Sequence, residues 1–110
     1  MMKLALSPAA AGLLRALLAR AGIDRDRILL TEFRSVDWQS LTFAGERHQI
    51  HVRIPSPGAE EVTHRLRDGL ADAEFHVPGQ IVADIALEHE PTSNADGSIS
   101  LQLEALTLFE

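Results

Sequence analysis

Two stretches near the C-terminus alternate between apolar and polar positions. Ile81, Ala83, Ile85 and Leu87 alternate with Val82, Asp84, Ala86 and Glu88. After a Pro/Ser/Asn/Asp/Gly-rich stretch, Ile99, Leu101, Leu103 and Ala105 alternate with Ser100, Gln102 and Glu104. A period of two puts each set on one face of a pleated strand. Two such runs around a turn cluster predict an antiparallel pair, Gln80 to Phe109, with one buried face.

Upstream the period changes. Ala10, Leu13, Leu14, Leu17, Leu18 and Ala21 recur at helical spacing and form a broad apolar stripe. Ser7 precedes Pro8 as N-cap before first helical residue, and Gly22 supplies the stop. The stripe is a core face. A membrane-surface helix needs a basic opposite face with aromatic anchors, and this one has only Arg15 and Arg20.

A short charged connection, Ile23 to Arg27, leads into Ile28 to Phe43, which contains neither Gly nor Pro. Val36 and Trp38 leave the odd-numbered apolar pattern of Leu29 and Phe33, which predicts a bulge near Arg34-Ser35. Ala44-Gly45 is the expected hairpin turn. On the return strand, Arg47 to Ile54, His48, Ile50, Val52 and Ile54 face one way; Arg47, Gln49, His51 and Arg53 face the other.

Ser56-Pro57 repeats the Ser-Pro start, and a second helix is expected from Gly58 to Glu74. Its narrow stripe is Val62, Leu66, Leu70 and Ala73, with Glu61/Arg65 and His64/Asp68 at i,i+4. Gly69 inside it is read as a mark of close packing. The predicted fold is an α+β two-layer sandwich in the order α-β-β-α-β-β. Its four-stranded antiparallel sheet has both helices on one face, in one domain over residues 1–110.

Composition adds limits. The 110 residues are 45% hydrophobic and 24% charged, ordinary globular values that disfavour global disorder. A chain of this length buries roughly two thirds of its unfolded surface, enough for one core without staples. There is no cysteine, which excludes disulfides, thiol catalysis and thiolate zinc sites. Pro8 and Arg15 interrupt the apolar N-terminal run, so Met1 to Leu6 is read as opening no leader peptide. No apolar run reaches membrane-spanning length, and the expectation is a cytoplasmic protein. Nine Arg against one Lys, with many Ala, suggest a GC-rich bacterial coding sequence.

The net charge of −6 is uneven. Residues 1–53 carry eight Lys/Arg and five Asp/Glu, giving +3, and residues 54–110 carry two Arg and eleven Asp/Glu, giving −9. An acidic whole argues against bulk nucleic-acid binding. The asymmetry hints at association between complementary halves, against the plainer reading of a scattered, solvated surface.

Candidate chemistry is sparse. Asn94, Asp96, Gly97 and Ile99 match four positions of a calcium loop, but Thr92 and Leu103 stand where carboxylates are needed. An Asp-Gly hairpin turn explains the loop better. His48 and His51 point to opposite faces of a strand, and His64, His76 and His89 lie on separate elements, so no metal is expected. There is no phosphate loop, nucleophile elbow or zinc-protease motif. A helix-turn-helix over Ala9 to Leu30 would require Ile28 to Phe33 to be helical, against their β-forming content.

The outward sheet face carries the one constellation of interest. His51, Arg53, Asp84 and Glu88, beside Gln102 and Glu104, form a candidate ligand site in which carboxylates and a histidine would exchange protons and an arginine hold an anion. The plain alternative is a solvated face with cross-strand ion pairs. The same face is expected to show Val82, Ala86, Leu106 and Leu108, with Trp38, an apolar set that predicts a homodimer interface packed sheet on sheet or edge on edge. A register slip near Ala105 would instead turn these leucines inward. The expectation is a non-catalytic, homodimeric binding or accessory module, with no cofactor, metal, membrane or nucleic-acid partner. The alternative is a small acid–base enzyme or ligand-binding protein using the polar site.

Overall fold

Ser7 opens the first element. Its Oγ accepts a hydrogen bond from the Ala10 N–H at 3.2 Å, and Pro8 is the first helical residue. Helix α1 runs Pro8–Ala21 in the computed structural model, which describes residues 6–110, so the expectation for Met1 to Ala5 lies outside the described residues. The helix closes at Gly22, whose N–H donates to the Ala19 carbonyl while the Ile23 N–H donates to the Leu18 carbonyl. These two bonds satisfy carbonyls the helix would otherwise leave open. A single 3-10 turn, Arg25–Arg27, leads to the sheet.

Strands β1 (Leu29–Gln39) and β2 (Ala44–Ile54) pair antiparallel. Ile28 to Phe33 is therefore extended, not part of a helix-turn-helix. The hairpin turn falls at Ser40 to Phe43 rather than at Ala44-Gly45. The Ser40 N–H donates to the Phe43 carbonyl at 2.8 Å, and the Phe43 N–H donates to Ser40 Oγ at 3.1 Å. Gly45 is a paired strand residue, needed for close approach. A Cβ there would lie 1.9 Å from the Thr107 carbonyl oxygen.

The bulge also moves. The register shifts between Leu30 and Glu32, not at Arg34-Ser35. From Glu32 onward the pairing is continuous, so Phe33 and Ser35 share a face with Ile50 and His48, while Val36 and Trp38 stand on the other face. The apparent slip in the sequence is two large apolar side chains on the outer face.

Helix α2 is short, Ala59–Arg67, with Gly58 as N-cap. The expected span of Gly58 to Glu74 is cut at Asp68, which turns extended (ψ 116), and at Gly69, which takes the left-handed φ +64; a 3-10 turn, Leu70–Asp72, follows. Gly69 thus follows the helix stop, and it is also closely approached: a Cβ there would lie 3.2 Å from Arg20 Nη2. Glu61 and Arg65 form the expected i,i+4 pair at 2.9 Å.

The remaining strands are β3 (Gln80–Leu87), β4 (Thr92–Ser93) and β5 (Ile99–Phe109). The fold is α+β, and the sheet is antiparallel in the order β1-β2-β5-β3, with β4 pairing β5. It has five strands, not four. The extra one is two residues long, Thr92 opposite Ser100 and Ser93 opposite Ile99, too short to show any alternation. Because β5 is antiparallel to both neighbours, β2 and β3 run in the same direction, and α2 lies in the crossover between them.

One core cluster joins Leu13, Leu14, Leu17 and Leu18 of α1, Val62 and Leu66 of α2, and Ile50, Val52, Ile54, Ile85, Leu101 and Leu103 of the sheet. Each fully buried aliphatic side chain contributes about 1.5–3 kcal/mol. Strand β5 alternates strictly between buried and half-buried from Ile99 to Leu108, with no slip near Ala105. No helix among the described residues is long and apolar enough to cross a membrane.

Candidate functional site

The register lays out the outer sheet face in rows, because directly paired residues point the same way. Trp38, Gly45, Leu108 and Ile81 form the first row, at the end bearing the β1–β2 turn. Val36, Arg47, Leu106 and Asp84 form the second, and Arg34, Gln49, Glu104 and Ala86 the third. Glu32, His51 and Gln102 form the fourth, beside Glu88, whose N–H donates to the Gln102 carbonyl at 2.8 Å. Leu29, Arg53 and Ser100 come last.

The candidate ligand residues share this face without converging. His51 Nδ1 lies 2.9 Å from Glu32 Oε2. Arg53 donates to Asp96 Oδ2 at 2.7 Å and to Ser98 Oγ at 2.9 Å. Asp84 is two rows and two strands from His51, and β5 separates Glu88 from His51, a span of about 10 Å between β2 and β3. Neither Asp84 nor Glu88 has an ion-pair partner among the described residues. Sequence reasoning missed Glu32, which follows from β1 parity only once the bulge is placed at Thr31. It also missed the role of Asp96, although the Asp-Gly turn was visible.

The Asp96 loop is a closed hydrogen-bonded unit. Asp96 Oδ1 accepts from Ser98 Oγ at 2.6 Å and from the Ser98 N–H at 2.9 Å, and Asn94 Nδ2 donates to Ser98 Oγ and Ser100 Oγ, each at 3.0 Å. The Ser98 hydrogen bonds, followed by the Arg53 charge, lower the Asp96 carboxyl pKa to about 2. The side chains that would have been calcium ligands instead hold the turn shut.

Of the expected interface set, Ala86, Leu106 and Leu108 lie on the outer face. Val82 does not. The register shifts between Val82 and Asp84, and Val82 packs against the core opposite Thr107. The bulge that turns Val82 inward turns Ile81 outward, 47% exposed. Val36, Leu41, Phe43 and Phe109 are also exposed, and all lie at the same end of the sheet as Ile81. Arg47 and Glu104 pair diagonally at 3.0 Å beside this band. Arg34, Val36, Arg47 and Gln49 line a shallow recess of about 150 Å³.

His48 and His51 point to opposite faces, as their spacing requires. His48 is fully buried, with Nδ1 2.6 Å from Ser35 Oγ and Nε2 2.8 Å from Thr107 Oγ1. Either hydroxyl can donate or accept, so both ring nitrogens of a neutral imidazole are satisfied. Burial lowers its pKa, partly opposed by the Glu46 charge. Phe33 packs beside it at a ring separation of 5.9 Å. The network is a core device.

A second recess, of about 250 Å³, lies between α2 and the loop before β4, where Glu60, His64, Arg67 and Glu90 meet Thr63. Neither recess includes His51, Arg53, Asp84 or Glu88. No group of three or more metal-ligating side chains occurs among the described residues. The N-terminal arginines do not share one surface. Arg34 is on the outer sheet face, while Arg15 and Arg25 border a recess against Leu14 and Leu18 of α1. Arg20 bonds the Asp68 carbonyl, and Arg27 the Pro57 carbonyl. No family model, no curated protein sequence and no solved structure matches this chain.

Proposed function

We propose that the protein is a non-catalytic binding or accessory module, bacterial and cytoplasmic, that works as a homodimer through the sheet face opposite its two helices. One observation carries this reading: an apolar band at one end of that face, in which Ile81 and Val36 are exposed and Trp38, Leu106 and Leu108 half-buried, drawn from β1, β5 and β3. Monomers seldom leave such a band uncovered. An acid–base or ligand site on the same face is the weaker reading, because His51 and Arg53 are already paired and the two candidate carboxylates lie apart from them. Light scattering at micromolar concentration tests the proposal. The expected mass is twice the 12.0 kDa of one chain, and Leu106→Asp with Leu108→Asp reduces it to one. A wild-type chain that stays monomeric throughout overturns the reading.

A further inference from the structure

We infer that two copies pack outer face to outer face about a twofold axis parallel to the strands, so that β1 of one protomer lies over β3 of its partner. This arrangement rests on the homodimer reading and specifies its geometry.

Two features of the face select the axis. The first is position along the strands. The apolar band sits at one end; the opposite end carries one exposed apolar residue, Leu29, beside Arg53 and Ser100. A twofold parallel to the strands keeps each row over the same row of the partner, so band meets band. A twofold perpendicular to the strands through the middle of the face lays the band over Leu29, Arg53 and Ser100, and one placed at the band itself gives up the overlap of the other rows; either stacks β1 on its own copy.

The second feature is charge across the strands. The β1–β2 half of the face carries Arg34, Arg47 and Arg53 against Glu32; the β5–β3 half carries Glu104 and Asp84, with Glu88 beyond. The parallel axis exchanges these halves; with Arg47 held by Glu104 and Arg53 by Asp96 of the same protomer, the uncompensated basic charge it sets over acidic ones is that of Arg34. Arg34, which has no ion-pair partner among the described residues, then faces the partner's third row, flanked by that protomer's Asp84 and Glu88. Opposite-charge juxtaposition of this kind sets register and excludes the wrong orientation.

Four strands about 4.8 Å apart and five rows about 6.8 Å apart give a flat footprint of about 650 Å². Side-chain relief brings this towards the roughly 800 Å² per partner of a standard interface.

The chain contains no cysteine, so introduced thiols report without background. Arg34→Cys and Ala86→Cys proteins are mixed and treated with a short bismaleimide. The expected product is a covalent heterodimer from the mixture and none from either protein alone, since β1 of one copy stands about 14 Å to the side of β1 of the other. Self-linking of Arg34→Cys, or no linking in a sample whose light scattering shows a dimer, overturns this axis and leaves self-association standing. A monomer overturns both. Charge reversal gives an independent readout. Arg34→Glu is expected to weaken dimerisation about tenfold, and Arg34→Glu with Asp84→Arg to restore it. Failure of the double variant to recover affinity also overturns the arrangement.

Discussion

The two faces of the β2–β5 ladder differ in what they ask of the same residue type. His48 and His51 are three residues apart on β2. His48 stands among the core residues, closed between two hydroxyls and held neutral by burial. His51 stands half-buried on the other face, beside an exposed glutamate. On the inner side of this ladder, both ring nitrogens of the buried His48 have a partner, as buried polar groups usually do. On the outer side, ion pairs contribute about 0–1 kcal/mol each and leave side chains free for other contacts. Residue type therefore says little about role on this strand, and parity says most.

The contrast is broken most severely at its apolar layer. Leu103→Ala, at 1% exposure, is expected to cost about 2–5 kcal/mol in urea unfolding. Gln49→Ala, one strand away on the outer face, is expected to stay within about 0.5 kcal/mol. Equal costs would show that the faces are not divided as described.

A smaller effect is expected from His48→Leu, which leaves the Ser35 and Thr107 hydroxyls without the imidazole and costs about 1–3 kcal/mol. The pH dependence sharpens the point. The folded pKa lies below the ordinary value of 6.5, so below pH 6.5 the unfolded chain takes up this proton first. The contribution of neutral His48 is thus complete above pH 6.5 and declines as the pH falls towards the lowered folded value. Urea midpoints between pH 7.5 and 5 are expected to fall more in the wild type than in His48→Leu. Parallel profiles would remove His48 as the source.

The smallest effect is expected at Asp96, in the exposed loop that holds Arg53. Its carboxyl titrates near 2, so it favours the folded state above its unfolded value of 3.8 and loses that contribution as the pH falls towards 2. NMR titration is expected to show one carboxyl at this low value, absent in Asp96→Asn and shifted up in Ser98→Ala. An unshifted Asp96 would mean the loop is not closed around it in solution.

The first helix was legible because its signals are local: a capping serine, a proline behind it, a 3.6-residue stripe and a terminal glycine. Strand β5 was legible for the same reason: its sequence alternates from Ile99 to Ala105, and its burial from Ile99 to Leu108. The outer-face set was only partly legible. Val82 and Ile81 exchange faces through a bulge that no adjacent Gly or Pro announces. Trp38 and Val36 resembled a register slip because large apolar residues usually point inward. The candidate cluster dissolved because parity assigns residues to a face, while distance within the face depends on which strands are neighbours.

The amino-acid pattern alone determined two helices, paired antiparallel strands and an apolar side for each, since these follow from periods of two and 3.6 and from residues near in the chain. Only the folded arrangement decided that β5 enters between β2 and β3, where the bulges fall, that Arg53 meets Asp96, and that Trp38, Leu108 and Ile81 of three strands share one row. Those outcomes depend on contacts between residues tens of positions apart. Their selection rests on total burial and hydrogen-bond satisfaction, quantities that no short window of sequence contains.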